Sequence, residues 1–509
     1  MKELSTTPRD YQISIFNTCK NKDCLVVLPT GTGKTLIALM MTIERFKKFP
    51  LEKILILAPT RPLIEQHFKS FKENLPENWA DMQLFTGKTH SEKRKEIWKT
   101  AEFIFSTPQC IANDLDKKLY TLEDVSLLVV DECHRCLKNY AYNKVAQKYK
   151  SYSKNKRVIG LTASPGSDKK TISQVCENLG IESVEVRTRD SEDVKPYLQE
   201  LEFEKIEIDF PGELEEIRVL LTELYQKKIQ ELKNRKVFFG YASKTMLLKT
   251  QSKLMNELKR TRDLNKMAAV SVCSQAIKLS HAIELLETQT LSSFINYLRD
   301  LFEQASSGKS KGVQRLVKDP KFAKAYTLAT TSSIEHPKLK KLKEIVENEF
   351  QKNKNSKIIV FAQFRETVRK ISEMLNKIEN VKAKDFVGQA IKDHGSGNTT
   401  GLKQKEQKEI IEKFKKGDIN VLVATSIAEE GLDIPEVNEV IFYEPVPSAI
   451  RKIQRAGRTA RLSKGSLKIL ITKNTKDQIS HYVAYHKEKR MYTAIDQIKK
   501  DFKDYQKKL

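Results

Sequence analysis

The residue types best suited to chemistry stand early in the chain, in the run Leu28 Pro29 Thr30 Gly31 Thr32 Gly33 Lys34 Thr35. Gly31 and Gly33 let a backbone turn tightly and aim its amide hydrogens at phosphate oxygens, with Thr30 and Thr32 completing the turn. Lys34 adds a point charge for the outer phosphates, and the Thr35 hydroxyl suits a magnesium ion. This is a Walker A loop, with Leu28 where the general G-x-x-x-x-G-K-[ST] pattern has its first glycine. A second reactive pair, Asp131 and Glu132, directly follows the apolar run Leu127 Leu128 Val129 Val130. Asp131 can hold magnesium, and Glu132 can orient or deprotonate a water attacking a γ-phosphate. A third group is Gln454 Arg455 Ala456 Gly457 Arg458 Thr459 Ala460 Arg461. Read as lying near the start of a helix, it puts Arg458 and Arg461 on one face, able to reach a γ-phosphate across a cleft as arginine fingers. ATP with Mg2+ is the ligand this set fits. His134 reads as a polar coupling residue between nucleotide and neighbouring loops. Cys133 and Cys136 form a C-x-x-C with no second such pair and no His pair at ligand spacing, so they read as structural.

Elements able to position these residues follow from the hydrophobic pattern. From Cys24 to about Glu185, short β-rich runs (Lys53 to Ala58, Glu102 to Ser106, Ser126 to Val130, Arg157 to Leu161) alternate with helical ones. That predicts a parallel sheet covered on both faces, with ligands beyond the carboxyl ends of its strands. After Pro211 Gly212 the pattern turns helical until about Ser333, with Leu214, Ile217, Leu221 and Leu224, then Ile283 and Leu286, then Phe294, Leu298 and Leu301 at three-four spacing. From about His336 the alternation resumes, with strands at Lys357 to Phe361, Asn420 to Thr425, Glu439 to Tyr443 and Leu467 to Ile471. The fold class is therefore α/β, with two parallel-sheet units and an all-helical insertion between them. Domain boundaries are expected at 1–205, 206–335, 336–480 and 481–509. The second α/β unit has no phosphate loop, so it can share in ATP chemistry only by closing onto the first. The tail, with Tyr482, Tyr485, Tyr492, Ile495, Ile498 and Phe502 as apolar anchors, is expected to pack back onto the second α/β unit.

At 509 residues and a net charge of +25, from 91 basic and 66 acidic side chains, the chain is multi-domain and suited to a polyanion, nucleic acid before acidic membrane. Seven scattered cysteines point to a reducing, intracellular compartment, cytoplasmic or nucleoid-associated. The start has no apolar h-region, and no run approaches the ~20 apolar residues that span a bilayer. Between Lys227 and Lys266 twelve cations face three carboxylates, a net of +9, with Phe238, Phe239 and Tyr241 interleaved. This marks nucleic-acid contact, with Lys259, Arg260 and Arg262 as candidates.

Thr30 to Thr35, Asp131 to His134 and Thr162 Ala163 Ser164 occur in the order of superfamily 2 helicases, and the chain resembles their D-E-x-H group. The resemblance implies two RecA-like units, with Gln12 sensing adenine and Thr162 and Ser164 joining His134 in coupling. It also implies backbone contacts from Thr60, Arg61, Thr86, Gly87 and Thr107 in the first unit, and from Gln363, Gly388 and Thr425 in the second. Glu430 Gly431 Leu432 Asp433 resembles the motif linking nucleic acid to nucleotide, with Gly431 and Asp433 at the ribose. Gln454, Arg458 and Arg461 match the family's last motif. Ser280 to Gln289 and Phe442 to Ser448 resemble the archaeal Hef helicases, which with the Fanconi anaemia group M translocase share a thumb-like insertion with RIG-I-like and Dicer helicases. What this implies is an ATP-dependent, 3′-to-5′ DNA helicase or translocase on forks and junctions in repair or fork processing, with a nuclease or sliding-clamp-type partner and no membrane. Hef proteins continue into a nuclease domain with an E-R-K-x-x-x-D site and helix-hairpin-helix repeats. Neither pattern occurs here, so no nuclease activity is expected. The alternatives are an ATPase stimulated by double-stranded RNA, and a non-catalytic nucleic-acid-binding scaffold.

Overall fold

The computed structural model describes residues 4–76, 79–166, 168–259, 263–308, 310–388, 402–428, 434–459 and 464–506. Its first sheet has seven parallel strands: β1 (Cys24–Val27), β2 (Lys53–Leu57), β3 (Met82–Phe85), β4 (Phe103–Ser106), β5 (Val125–Asp131), β6 (Val158–Thr162) and β7 (Ser183–Val186), in the order β3-β4-β2-β5-β6-β1-β7. Alternate residues of each inner strand feed opposite layers. Leu25 and Val27 pack on one side with Leu55 and Leu57, while Cys24 and Val26 pack on the other with Ile54 and Ile56. Burial on both faces explains their unbroken apolar runs. The edge strands β3 and β7 are only partly buried and carry polar residues between apolar ones, which hid them from the pattern.

The second sheet has six parallel strands: β8 (Leu201–Ile208), β9 (Ile358–Phe361), β10 (Ala383–Phe386), β11 (Val421–Ala424), β12 (Glu439–Phe442) and β13 (Gly465–Thr472), ordered β10-β11-β9-β12-β13-β8. β8 pairs with β13 over its full length, from Leu201 opposite Gly465 to Ile208 opposite Thr472. It straddles position 205, so the helical insertion interrupts the second unit rather than separating two finished ones. The insertion's apolar stripes fill its own core, with Leu214, Ile217, Leu221 and Leu224 against Ile283, Leu286, Phe294, Leu298 and Leu301.

The tail differs from expectation. The helix Lys476–Gln506 leaves the second sheet and inserts Met491, Ala494, Ile495 and Ile498 into the core of the first unit. Tyr482 and Tyr485 are exposed, while Ala484 between them is buried. Lys452 pairs with Glu488 at 2.8 Å and Lys169 with Asp501 at 2.8 Å, tying the helix to each unit in turn. Among the described residues no helix is long and apolar enough to cross a membrane.

Where insertion, second sheet and tail meet, the contacts are polar and buried. Lys338 pairs with Asp477 and donates to Thr288 O at 3.1 Å, Thr367 Oγ1 donates to Gln289 Oε1 at 2.8 Å, and the Lys476 amide donates to Glu287 Oε2 at 3.0 Å. Burial pushes His336 down to about 3, so it is a neutral ring whose Nε2 donates to Glu287 O at 3.1 Å. Glu444, just after β12, is pushed up to about 7 by burial, against the pull of Lys338 and Arg455. From the usual carboxylate range up to that value the folded chain holds a proton that the unfolded chain has released, so this group removes stability as pH rises through the window. Glu444→Gln should therefore gain stability over the parent on going from pH 5 to pH 8, by on the order of 1–3 kcal/mol. Thermal melts of both proteins at the two pH values check this, and a difference independent of pH would show that Glu444 does not titrate there.

Candidate active site

After β1 the chain turns at Gly31 (φ 80°) and Gly33 (φ 79°), and Gly33 opens the helix Lys34–Lys48. The loop's amides are thereby gathered at a helix N-terminus, where anions are favoured. Tyr11 and Gln12 hold the loop from behind, donating to Thr32 O at 2.6 and 3.0 Å, while Gln12 Oε1 accepts from the Arg9 amide at 2.8 Å. A Cβ on Gly33 would lie 2.3 Å from Gln12 Nε2, so the glycine also makes room for that residue. Lys34 Nζ donates to Leu28 O at 3.1 Å and Pro29 O at 3.2 Å, which holds its charge over the loop. Thr30 and Thr35 lie partly exposed in the same turn.

Asp131 ends β5 with its carbonyl accepting from Tyr142 Oη at 2.6 Å and its Oδ2 2.7 Å from His67 Nε2. Burial works to raise the Asp131 pKa, but His67 and then Lys34 outweigh it and hold the carboxyl below its ordinary range. A carboxylate kept ionised beside a phosphate loop, with the Thr35 hydroxyl at the loop's end, fits Mg2+, which takes oxygen ligands. Glu132 has a left-handed backbone (φ 48°), which turns the chain out of the strand. His134 Nδ1 lies 3.1 Å from both Glu132 Oε2 and Thr162 Oγ1. Thr162 Oγ1 donates to Ser164 O at 3.0 Å, and Ser164 Oγ donates to Met491 Sδ of the tail helix at 2.8 Å. The expected coupling residues thus form one chain of contacts from Glu132 to the tail. His67 was missed by sequence reasoning, although it falls between Ile64 and Phe71 on the buried face of the helix Arg61–Asn74. A histidine at a helical core position was the available signal. Cys133 and Cys136 are buried, and Cys136, its thiol pushed up to about 12 by burial, donates to Asn143 Oδ1 at 2.7 Å.

The second unit brings Gln454 and Arg455 on the last turn of the helix Ala449–Ala456, not near the start of one, and Arg458 follows the helix end. Arg458 is therefore not on a helix, and Arg461, expected to share a helical face with it, lies outside the described residues. Gly457 cannot continue the helix here because Thr459 is drawn away, bridging Val437 and donating to its carbonyl at 2.6 Å. Arg455 is buried inside the second unit, 4.8 Å from the Phe361 ring and 5.5 Å from that of Phe442. Gly457 meets the phosphate loop directly, since a Cβ there would lie 1.5 Å from Thr30 Oγ1 and 2.6 Å from Thr30 Cβ. Glu65 makes a second bridge, accepting from Arg61 Nε at 2.6 Å and from Lys408 Nζ of the second unit at 2.8 Å.

The candidate nucleic-acid residues follow the carboxyl ends of six strands: Thr60 and Arg61 after β2, Thr86 and Gly87 after β3, Thr107 after β4, Gln363 after β9, Gly388 after β10 and Thr425 after β11. Thr60 Oγ1 is buried with no hydrogen-bond partner among the described residues, and Gly87 and Gln363 are exposed. Thr86 is itself buried, and its loop is shaped by Arg94, which donates to Asp114 Oδ2 at 2.7 Å and to the carbonyls of Thr86 and Thr89. Arg365 Nη2 similarly holds Gly388 O at 3.0 Å. Neither arginine stood out in the sequence, as each reads as an ordinary helix surface cation. Lys259 is exposed, whereas Arg260, Arg262, Gly431, Asp433 and Arg461 lie outside the described residues.

A family model of the DEAD/DEAH box helicases matches residues 9–172, one of the helicase conserved C-terminal domain matches 337–463, and a helical-bundle model of ATP-dependent RNA helicases matches 213–336. The crystal structure of the Pyrococcus furiosus Hef helicase domain superposes with a TM-score of 0.71 at 43% identity, covering 93% of this chain and 98% of that one. The chain belongs to the Hef family of helicases. Similar proteins include one from Methanocaldococcus jannaschii named as an ATP-dependent RNA helicase (42% identical), the ATP-dependent DNA helicase mph1 of Neurospora crassa (34%) and the Fanconi anemia group M protein homolog of Mus musculus (31%). The alignments take in 96%, 92% and 96% of this chain but only 61%, 41% and 26% of those proteins. A DEAD/DEAH box helicase domain implies ATP binding.

The contact of Gly457 with Thr30 gives a direct test. Thr30 is β-branched and stiff, so it cannot swing aside from a new methyl group. Gly457→Ala should hold the two units about 1–2 Å apart and lower nucleic-acid-stimulated ATP turnover by roughly 10²-fold, the cost of such a misplacement. Its melting temperature should stay near that of the parent. Phosphate release and thermal melting decide this, and parental turnover would show that closure does not bring these residues together.

Proposed function

We propose that this chain is an ATP-driven DNA helicase and translocase acting on branched DNA, forks and junctions, in repair or replication-fork processing. The observation that carries the reading is the seating of Gly457 on the phosphate loop while the strand-end loops of both sheets lie on the edges from which they can grip one strand. Lys34 and the loop amides would hold the outer phosphates, and Gln12 the adenine. Glu132 would hold the attacking water, and Gln454, Arg458 and Arg461 would meet charge developing on the γ-phosphate. Thr35 and Asp131 would hold Mg2+, which supplies charge neutralisation between the phosphates. Gly431 and Asp433 belong at the ribose. His134, Thr162 and Ser164 would pass the change at Glu132 to the tail helix and the neighbouring loops. Thr60, Arg61, Thr86, Gly87 and Thr107 would grip the backbone from one unit and Gln363, Gly388 and Thr425 from the other, so each closing and opening shifts the grip along the strand. Arg61 would exchange Glu65 for a phosphate as it does so. The insertion, with Lys259, Arg260 and Arg262, would choose branched substrates, and a nuclease or sliding-clamp-type protein is the partner this activity calls for.

A second reading, an ATPase stimulated by double-stranded RNA, has behind it only the RNA-helicase names of the helical-bundle family and of the Methanocaldococcus relative, and the DNA-helicase relatives do not favour it. ATPase and unwinding assays on fork, four-way, linear duplex and RNA substrates separate the two. Forked DNA should stimulate phosphate release most, and Lys34→Ala should reduce it by roughly 10²-fold or more. Stimulation by double-stranded RNA alone would install the second reading, and no phosphate release with either saturating DNA or saturating double-stranded RNA would remove both. Because backbone contacts dominate, binding should fall steeply with salt. Neutralising Lys259, Arg260 and Arg262 together should flatten the salt slope by roughly one for each phosphate these side chains engage. An unchanged slope and affinity would take these residues out of the binding surface.

A further inference from the structure

We propose that the loop 237–243 of the helical insertion is a two-ring stacking site for unpaired bases at a DNA branch point. The proposal rests on the DNA reading above and adds a binding site to it. The loop is anchored at both ends. Phe238 is buried among Ile229, Leu232, Leu247 and Leu254, and Ala242 O accepts from Tyr225 Oη at 3.0 Å. Ser243 then caps the next helix, its Oγ accepting from the Met246 amide at 3.2 Å. Between these anchors Phe239 is 72% exposed and Tyr241 84% exposed, more than any other aromatic side chain among the described residues. Gly240 between them has φ 87°, and a Cβ there would meet nothing within 4 Å, so the glycine serves the turn and not a close approach. A buried ring at 238 and a hydrogen-bonded carbonyl at 242, with bare rings at 239 and 241, describe a loop folded to present its rings.

The surroundings identify what the rings meet. Arg235 pairs with Glu231, Lys244 with Glu284 and Lys266 with Glu257, which uses up the carboxylates nearby. Lys227, Lys233, Lys236, Lys249 and Lys253 are exposed and make no ion pair among the described residues. An apolar protein surface set against this loop would have to leave those charges uncompensated. Nucleic acid supplies both complements, phosphates for the lysines and flat base faces for the rings. In a continuous duplex the base faces are stacked on one another, so only a branch, a gap or a single strand offers them.

The test uses the full chain with Phe239→Leu and Tyr241→Leu combined, leaving Phe238 and Tyr225 in place, and a fork carrying 2-aminopurine at the unpaired position next to the branch. Binding of the parent should change the probe's fluorescence, and the variant should abolish that change. The variant should bind the fork roughly tenfold more weakly for each ring removed, the size of one base-on-ring stack, with unchanged affinity for a blunt linear duplex. Restoring one ring as Trp at position 241 should recover part of the signal. A variant that binds the fork like its parent, with the fluorescence change intact, overturns the stacking site. Equal weakening on the fork and on the linear duplex also overturns it, as that is the mark of a general charge effect. If the parent's ATPase responds to DNA while the variant matches the parent, the stacking site alone falls. If the parent's ATPase does not respond to DNA, the DNA reading falls as well.

Discussion

The backbone of Gly457 meets the side chain of Thr30, and there is no space between them for a methyl group. The proposed sharing of the ATP site between the two units depends on that approach. The first unit supplies the glycine turn before Lys34, an ionised Asp131 and a turned-out Glu132, and in the proposed mechanism the guanidinium facing the γ-phosphate comes from the second. The cation proposed for that role, Arg458, follows the end of the helix Ala449–Ala456, where the second sheet places the segment through the bridge of Thr459 to Val437. A site divided this way is complete only while two rigid bodies touch, which is how a chemical step can be tied to a movement of tens of residues.

The rigid bodies are themselves held by burial of different kinds. Each sheet is sealed by apolar layers on both faces, which resist shear because interiors are close-packed. The joint of insertion, second sheet and tail is polar instead, built from Lys338, Asp477, Gln289, Thr367 and His336. Polar joints specify one geometry by direction, where an apolar joint would accept several. From this joint the tail helix runs across to the first unit, so the two sheets are linked by the chain on one side and by reversible contacts such as Glu65 with Lys408 on the other. Opening can break the second kind while the first acts as a strut.

The two α/β units and the helical insertion were legible in the sequence because inner strands buried on both faces leave continuous apolar runs. What stayed hidden was determined by pairing across long separations. β8 lies among charged residues and is a strand only because β13, far along the chain, receives it. Of the tail's expected anchors Ile495, Ile498 and Phe502 do pack, but Tyr482 and Tyr485 were misjudged because tyrosine carries both an apolar ring and a hydroxyl, and the less conspicuous Met491 and Ala494 join the packing in their place. Of the site, the loop and the acidic pair were legible from spacing alone. The placement of Arg458 was not, because whether a short segment begins or ends a helix depends on where Thr459 finds its partner.

Burial acts on two carboxyl groups in this chain with opposite results, and the difference separates chemistry from architecture. Asp131 is enclosed, yet His67 and Lys34 lie close enough that its charge is retained, the state its proposed role toward Mg2+ requires. Glu444 is equally enclosed, but Lys338 is already committed to Asp477 and Thr288, and Arg455 to the rings of Phe361 and Phe442, so neither offers it full compensation. Its proton is retained close to neutrality instead. A buried acid whose partners are engaged elsewhere is a neutral spacer in a joint, and one with partners aimed at it is a ligand in waiting. Partner geometry, rather than depth, is what distinguishes the two in this molecule.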